Sequence, residues 1–230
     1  HLAAYEGDHA LPEPVQPELL HVLDRGSMQD IAHLAELVGE ARDQPDSGTT
    51  FAQWLGRALT AHAERSGEVA ALVAGLSGRC RALLLASALL EGSSADEVFE
   101  AERSLIRALD YPVVEAHQFE EPDLRTRFDE IGVEVERDSR VRFRKLNYAE
   151  AVRRHFWTNF PGLRDGFGLW VVDWGRRRTS ADDRAEDVVE RFLDACLHVN
   201  RSSDVVRAVD AWASGGPPQV ALALTALELG

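Results

Sequence analysis

Residues Val133–Trp157 constrain this chain more than any other stretch of it. Val133 and Val135 alternate with Glu134 and Glu136, and Val141 and Phe143 alternate with Arg140, Arg142 and Arg144. A period of two with one apolar face is the pattern of a half-buried strand. Keeping the apolar residues on one face sets the register. Val135 then faces Val141, Val133 faces Phe143, Glu136 stands opposite Arg140, and Glu134 opposite Arg142. The tip becomes Arg137-Asp138-Ser139. A three-residue tip favours glycine at its last position, so a wider loop is the alternative. Asn147 is placed to cap the helix that follows, with Glu150 as its box partner. No other stretch carries a strand pattern.

The rest reads as helix. Residues 1–16 contain proline and little periodicity, and are expected to be a linker. Pro17 opens a short helix that ends at Gly26, and Ser27 with Asp30 caps the next, which lines up Ile31, Leu34, Leu37, Val38 and Ala41. After a loop at Gln44–Thr49, Thr50 caps a helix with Phe51, Trp54, Leu55, Ala58, Leu59 and His62 on one face. A separate helix is expected from about Glu68 to Leu76. Arg79–Glu91 is apolar nearly all round, the mark of a central helix. Ser94 and Glu97 form a capping box for Ala95–Leu109, which is expected to bury Val98, Phe99, Leu105, Ile106 and Leu109. Pro122 opens a short helix, Asp123–Ile131, stopped by Gly132. Phe156, Trp157, Phe160, Phe167, Trp170 and Trp174 fall at helical spacing on either side of Pro161-Gly162, a core pattern more than a ligand box. Beyond a joint at Arg176–Ser180, the segments Asp182–Val199, Asp204–Ala213 and Gln219–Leu229 resemble the start of a helical solenoid.

The expected fold is therefore mostly α. A helical domain spans 17–77, a winged helix-turn-helix with one β-hairpin spans 78–176, and helical hairpins of repeat type span 181–230. A 45% apolar content is enough for ordinary cores. No apolar run is long enough to span a membrane and no signal peptide is recognisable, so a cytoplasmic protein without a membrane partner is expected. Cys80 and Cys196 each lie among apolar residues, as buried free thiols of a reducing compartment do. Lysine occurs once, at Lys145, among arginines, a bias that suits a GC-rich, actinobacterial-looking genome. The chain begins at His1, which reads as a fragment of a larger protein.

No complete catalytic motif is present. There is no glycine-rich phosphate loop with its lysine, no H-E-x-x-H, no C-x-x-C and no G-x-S-x-G elbow. The expectation is a non-enzymatic region with no metal and no cofactor of its own. An enzyme reading would need a pocket holding His62 or His155 beside a carboxylate. The most distinctive surface is basic: Arg137, Arg140, Arg142, Arg144 and Lys145 cluster on the hairpin and just after it. In a winged helix such residues can contact phosphates. They are offset by Glu134, Glu136 and Asp138, and the preceding helix sets Arg125 and Arg127 against Asp123, Asp129 and Glu130. The net charge of −14 further opposes a polyanion partner. A DNA-binding transcription regulator using Arg125, Arg127, Arg137 and Arg140 is thus the alternative to the first reading.

That first reading comes from a resemblance. The element order over Arg79–Gly175, with Phe143-Arg144-Lys145 ending a strand and Glu150-Ala151-Val152 in the next helix, resembles the winged-helix domain that follows the ATPase core of STAND-class NTPases. In that family the strand ends in Phe-Arg-His, and the histidine reaches the phosphates of the bound nucleotide. Here Lys145 stands at that place. The resemblance implies that Lys145, Arg142 and Arg144 touch a nucleotide phosphate or a neighbouring domain. It implies a lid-like role for 17–77, and ATP or ADP held by the parent rather than by this region. The winged helix would then be an intramolecular switch surface of a bacterial signalling or defence protein, biasing a two-state equilibrium. Its partners would be other domains of the parent or another protein.

Overall fold

Thr50 and Gln53 cap each other at the head of the first long helix, α1 (Phe51–Gly75). The Gln53 N–H donates to Thr50 Oγ1 at 3.4 Å, and the Thr50 N–H donates to Gln53 Oε1 at 3.3 Å. The two helices expected over Thr50–Leu76 are therefore one. Gly67 is exposed, and a side chain there would meet nothing, so it weakens the helix without ending it. The computed structural model describes residues 50–112, 122–145, 148–178 and 183–229, with scattered positions between 19 and 42. Most of the expected helix at 17–26, the Ser27 and Asp30 cap, the 44–49 loop, the Asn147 cap, the His62 side chain, and Thr179 and Ser180 of the expected joint lie outside the described residues.

The chain divides into two compact units, His1–Gly67 and Glu68–Gly230. The division falls within α1, ahead of the boundary expected at residue 78. In the first unit Leu34 and Leu37 gather with Leu55, Ala58 and Leu59, continuing the stripes visible in the sequence.

The second unit is built around α2 (Gly78–Leu89). Ser77 caps it, and every side chain from Ala82 to Leu89 is buried. α3 (Ala95–Ala108) starts with the Ser94–Glu97 capping box and buries Val98, Leu105 and Ile106. Phe99 and Leu109 are only half-buried, at the margins of its apolar stripe. α4 (Leu124–Glu130) is capped by Asp123. Gly132, at φ +73°, then turns the chain into β1 (Val133–Val135), which pairs antiparallel with β2 (Val141–Phe143). α5 (Tyr148–Asn159) follows, then a short 3-10 turn, Pro161–Leu163, and α6 (Arg164–Arg176). The chain closes with α7 (Asp183–His198), α8 (Ser202–Ala213) and α9 (Pro217–Leu229). The described chain is thus mostly helical, with one small two-stranded sheet.

The hairpin has the register that its apolar face demands: Val133 opposite Phe143, Glu134 opposite Arg142, Val135 opposite Val141. The tip is the narrow one. Glu136 N–H donates to Arg140 O at 2.8 Å, and Ser139 N–H to Glu136 O at 3.0 Å. Ser139 takes the left-handed conformation, φ +67°, that a glycine would occupy without cost. Ser139→Gly is expected to stabilise the protein by about 0.5–1 kcal/mol, read as a higher denaturation midpoint with an unchanged slope. β2 is held on its other side as well. Val141 N–H donates to Ser93 O at 2.9 Å, and Gly92 N–H to Val141 O at 2.8 Å.

One continuous core runs from Val69 to Ala226, and its largest fully buried side chains include Trp157, Trp170, Trp212, Phe167 and Phe192. The three last helices share this core instead of beginning a separate one at residue 181. Trp212 Nε1–H donates to Val172 O at 3.1 Å. It sits so close to α6 that a Cβ on Gly175 would come within 2.4 Å of that nitrogen. Gln219 ties the head of α9 to the end of α6, donating through Nε2 to Arg176 O at 3.1 Å and Arg178 O at 2.7 Å.

Candidate interaction surface at the hairpin

The turn at Gly132 folds β1 back beside α4, and a groove of about 490 Å³ lies between them. Leu124, Phe128 and Val135 supply its apolar lining, while Arg125 and Glu134 border it. Asp129 and Arg144 also line it and are paired with each other. The alternation places Val135 on the buried face with Val133. It is 40% exposed, whereas Val133 is fully buried. Both valines face the same side of the sheet, but the core ends between them. Alternation tells which way a side chain faces and not how far the core extends.

Four of the basic residues, Arg140, Arg142, Arg144 and Lys145, are matched to carboxylates, though not straight across the strands. Arg142 Nε lies 3.0 Å from Glu136 Oε1, on the diagonal, and Arg140 Nε lies 3.1 Å from Asp138 Oδ2. Long side chains reach diagonal neighbours in a twisted pair as readily as opposite ones. Glu134 does stand opposite Arg142, and Glu136 bonds through its backbone to Arg140, as expected, but the ion pairs run elsewhere and leave Glu134 with no ion-pair partner among the described residues. Arg144 pairs with Asp129 on α4, and Lys145 Nζ lies 2.6 Å from Glu68 Oε2 on α1. All four pairs are largely exposed, and each contributes on the order of 1 kcal/mol or less.

Arg127 departs furthest from expectation. As a DNA-contacting residue it would have to face out of α4. Instead it is 6% exposed, and its Nη2 donates to Glu102 Oε1 at 2.5 Å. Glu102 is fully buried, and Arg79 Nε lies 3.7 Å from the same oxygen, Oε1. Arg127 thus fastens α4 to α3 and is removed from any outer surface. Arg125, on the same short helix, is exposed, as is Arg137 at the hairpin tip. Neither has an ion pair among the described residues. Sequence reasoning missed Glu102, although a signal was there. The residue falls on the apolar stripe of Val98, Ala101 and Leu105, where an acid is tolerated only with a buried cation.

The nucleophile and acid–base candidates are quiet. His155 Nδ1 lies 3.2 Å from Asn159 Nδ2, and its ring leans on Phe156 and Phe160. Burial and the nearby Arg81 push its pKa down, which favours neutral imidazole. Burial pushes the Cys196 thiol up to about 12, and raises Cys80 as well. Both cysteines are free and buried, so neither is poised as a thiolate. Among the described residues no three His, Cys, Asp or Glu side chains stand close enough to hold a metal. No described helix is long and apolar enough to cross a membrane.

The chain matches no protein-family model, no curated protein and no solved structure.

Proposed function

We propose that the second unit is a winged-helix regulatory and interaction module of a STAND-like bacterial signalling or defence protein, working as a packing surface and not as a catalyst. The observation that supports this most is the charge matching around the hairpin. Arg140, Arg142, Arg144 and Lys145 each face a carboxylate of the same chain, and Arg127 is spent inside. A surface for nucleic acid leaves its cations available for phosphates, since releasing counterions is its driving force. A packing surface has the opposite need. Exposed ion pairs of low individual value can be exchanged for pairs with a neighbouring domain at little cost, which suits a two-state element.

In this reading Lys145 is the exchangeable contact. It stands where the related switch domains carry the histidine that reaches nucleotide phosphates. Here it rests on Glu68, and a phosphate or a neighbouring carboxylate would replace one exposed pair by another. Arg142 and Arg144, just before it in the chain, serve the same role. Any ATP or ADP would be held by the parent protein. Helices α7–α9 extend the module as a helical platform, with Val220, Leu224 and Leu227 exposed along α9.

DNA binding is the alternative, and Arg125 and Arg137 are the cations that would serve it. Titration of a labelled duplex at low ionic strength, followed by fluorescence anisotropy, separates the two. The expected result is no salt-dependent binding tighter than micromolar, the range of ordinary non-specific contacts. Sub-micromolar binding that weakens when Arg125 and Arg137 are changed to alanine would establish the DNA-binding reading instead.

A further inference from the structure

We infer that the groove between α4 and β1 is a docking site for a short extended segment of a protein partner, one that carries an apolar side chain flanked by an acidic and a basic residue. This rests on the reading of the unit as an interaction module and specifies its occupant.

The apolar side chain follows from Val135. It is 40% exposed beside Leu124 and Phe128, in a groove of about 490 Å³ with room for a side chain. The flanking charges follow from the border of the groove. Asp129 and Arg144 satisfy each other, but Arg125 and Glu134 have no ion-pair partners among the described residues and are of opposite sign. A polyanion would gain at Arg125 and lose at Glu134. A peptide with a carboxylate for Arg125 and a cation for Glu134 gains at both, and such complementarity sets register and orientation. The extended form follows from the sheet. The far side of β2 is occupied by Gly92 and Ser93, and Phe143 N–H is taken by Glu91 Oε1 at 3.0 Å. The outer edge of β1 has no strand beside it among the described residues. An open edge next to an apolar groove is the arrangement that accepts a peptide by strand addition.

The test is selection of a displayed library of random short peptides on the whole chain, followed by anisotropy titration of the enriched peptides. The expected consensus is acid, apolar residue, base. Arg125→Glu is expected to weaken the selected peptides about tenfold, by turning an attraction into a repulsion. Val135→Ser should weaken them about fivefold. Val206→Ser, at an exposed valine on α8 outside the groove, should leave them unchanged. Circular dichroism of each variant should match the parent chain, since all three positions are on the surface. Selection against the Arg125→Glu chain should replace the acid of the consensus by a base. Failure to enrich any peptide, or peptides that bind the Arg125→Glu and Val135→Ser chains equally well, overturns the docking site and leaves the charge-matched module standing. Sub-micromolar DNA binding in the titration above would overturn the module itself, whatever the peptides do.

Discussion

Glu102→Ala is expected to destabilise the protein by about 3–5 kcal/mol, the range seen when one partner is removed from a buried ion pair. Glu102 is fully buried and receives the Arg127 guanidinium at 2.5 Å. Without that carboxylate, a cation that is 6% exposed loses the charge that compensated its burial. The Coulomb attraction across the pair does not by itself set the size of the effect. Most of the loss is the desolvation of the charge left behind. The double change Glu102→Leu with Arg127→Met should therefore recover most of the stability, since two apolar side chains of similar size need no compensation. Urea denaturation of the three chains, followed by tryptophan fluorescence, measures both. A loss below about 1 kcal/mol for Glu102→Ala would mean that water reaches Arg127 and that α4 is not anchored in this way.

Trp212→Ala is the second large effect. Removing this indole empties a fully buried site and abandons the Val172 carbonyl that it serves at 3.1 Å. Large-to-small changes of this kind cost about 3–5 kcal/mol. What the variant reports is more than a magnitude. The core is continuous from α2 to α9, so Glu68–Gly230 should unfold in one transition, displaced as a whole to lower denaturant. Native-state hydrogen exchange should show α2 amides losing protection together with those of α8. An early transition confined to α7–α9, with α2 and the hairpin unchanged, would show that the last three helices are a separately stable unit.

The hairpin shows how far sequence reaches. A period-two pattern with one apolar face admits one register, because a slip by one residue would turn every valine outward. The capping box at Ser94–Glu97 and the stop at Gly132 were legible for a similar reason, since local backbone chemistry is written in neighbouring residues. The joining of two expected helices into α1 was not legible. A glycine in an exposed position weakens a helix by about 1 kcal/mol, and packing elsewhere decides whether the helix continues.

The site was legible only in its ingredients. Arg125 and Arg127 are indistinguishable in the sequence, two basic residues on one short helix. The fold buries one against Glu102 and exposes the other beside the groove, because only three-dimensional packing sets which side of α4 meets α3. The amphipathic stripes of α7 and α8 announced that these helices would be covered, but not by what. An apolar stripe encodes the need for burial without naming the surface that supplies it.

By itself the sequence determined the helical class of the described residues, the hairpin with its register, the caps at Thr50 and Ser94, and a charge balance that disfavours polyanions. All of these follow from interactions between residues a few positions apart or from composition. Only the tertiary structure decided where the core stops along β1, which arginine is anchored inside, that Glu68 meets Lys145, and that the last helices share the core of the first. Those outcomes depend on contacts between residues distant in the chain, and burial, which sets their energy, is a property of the assembled fold.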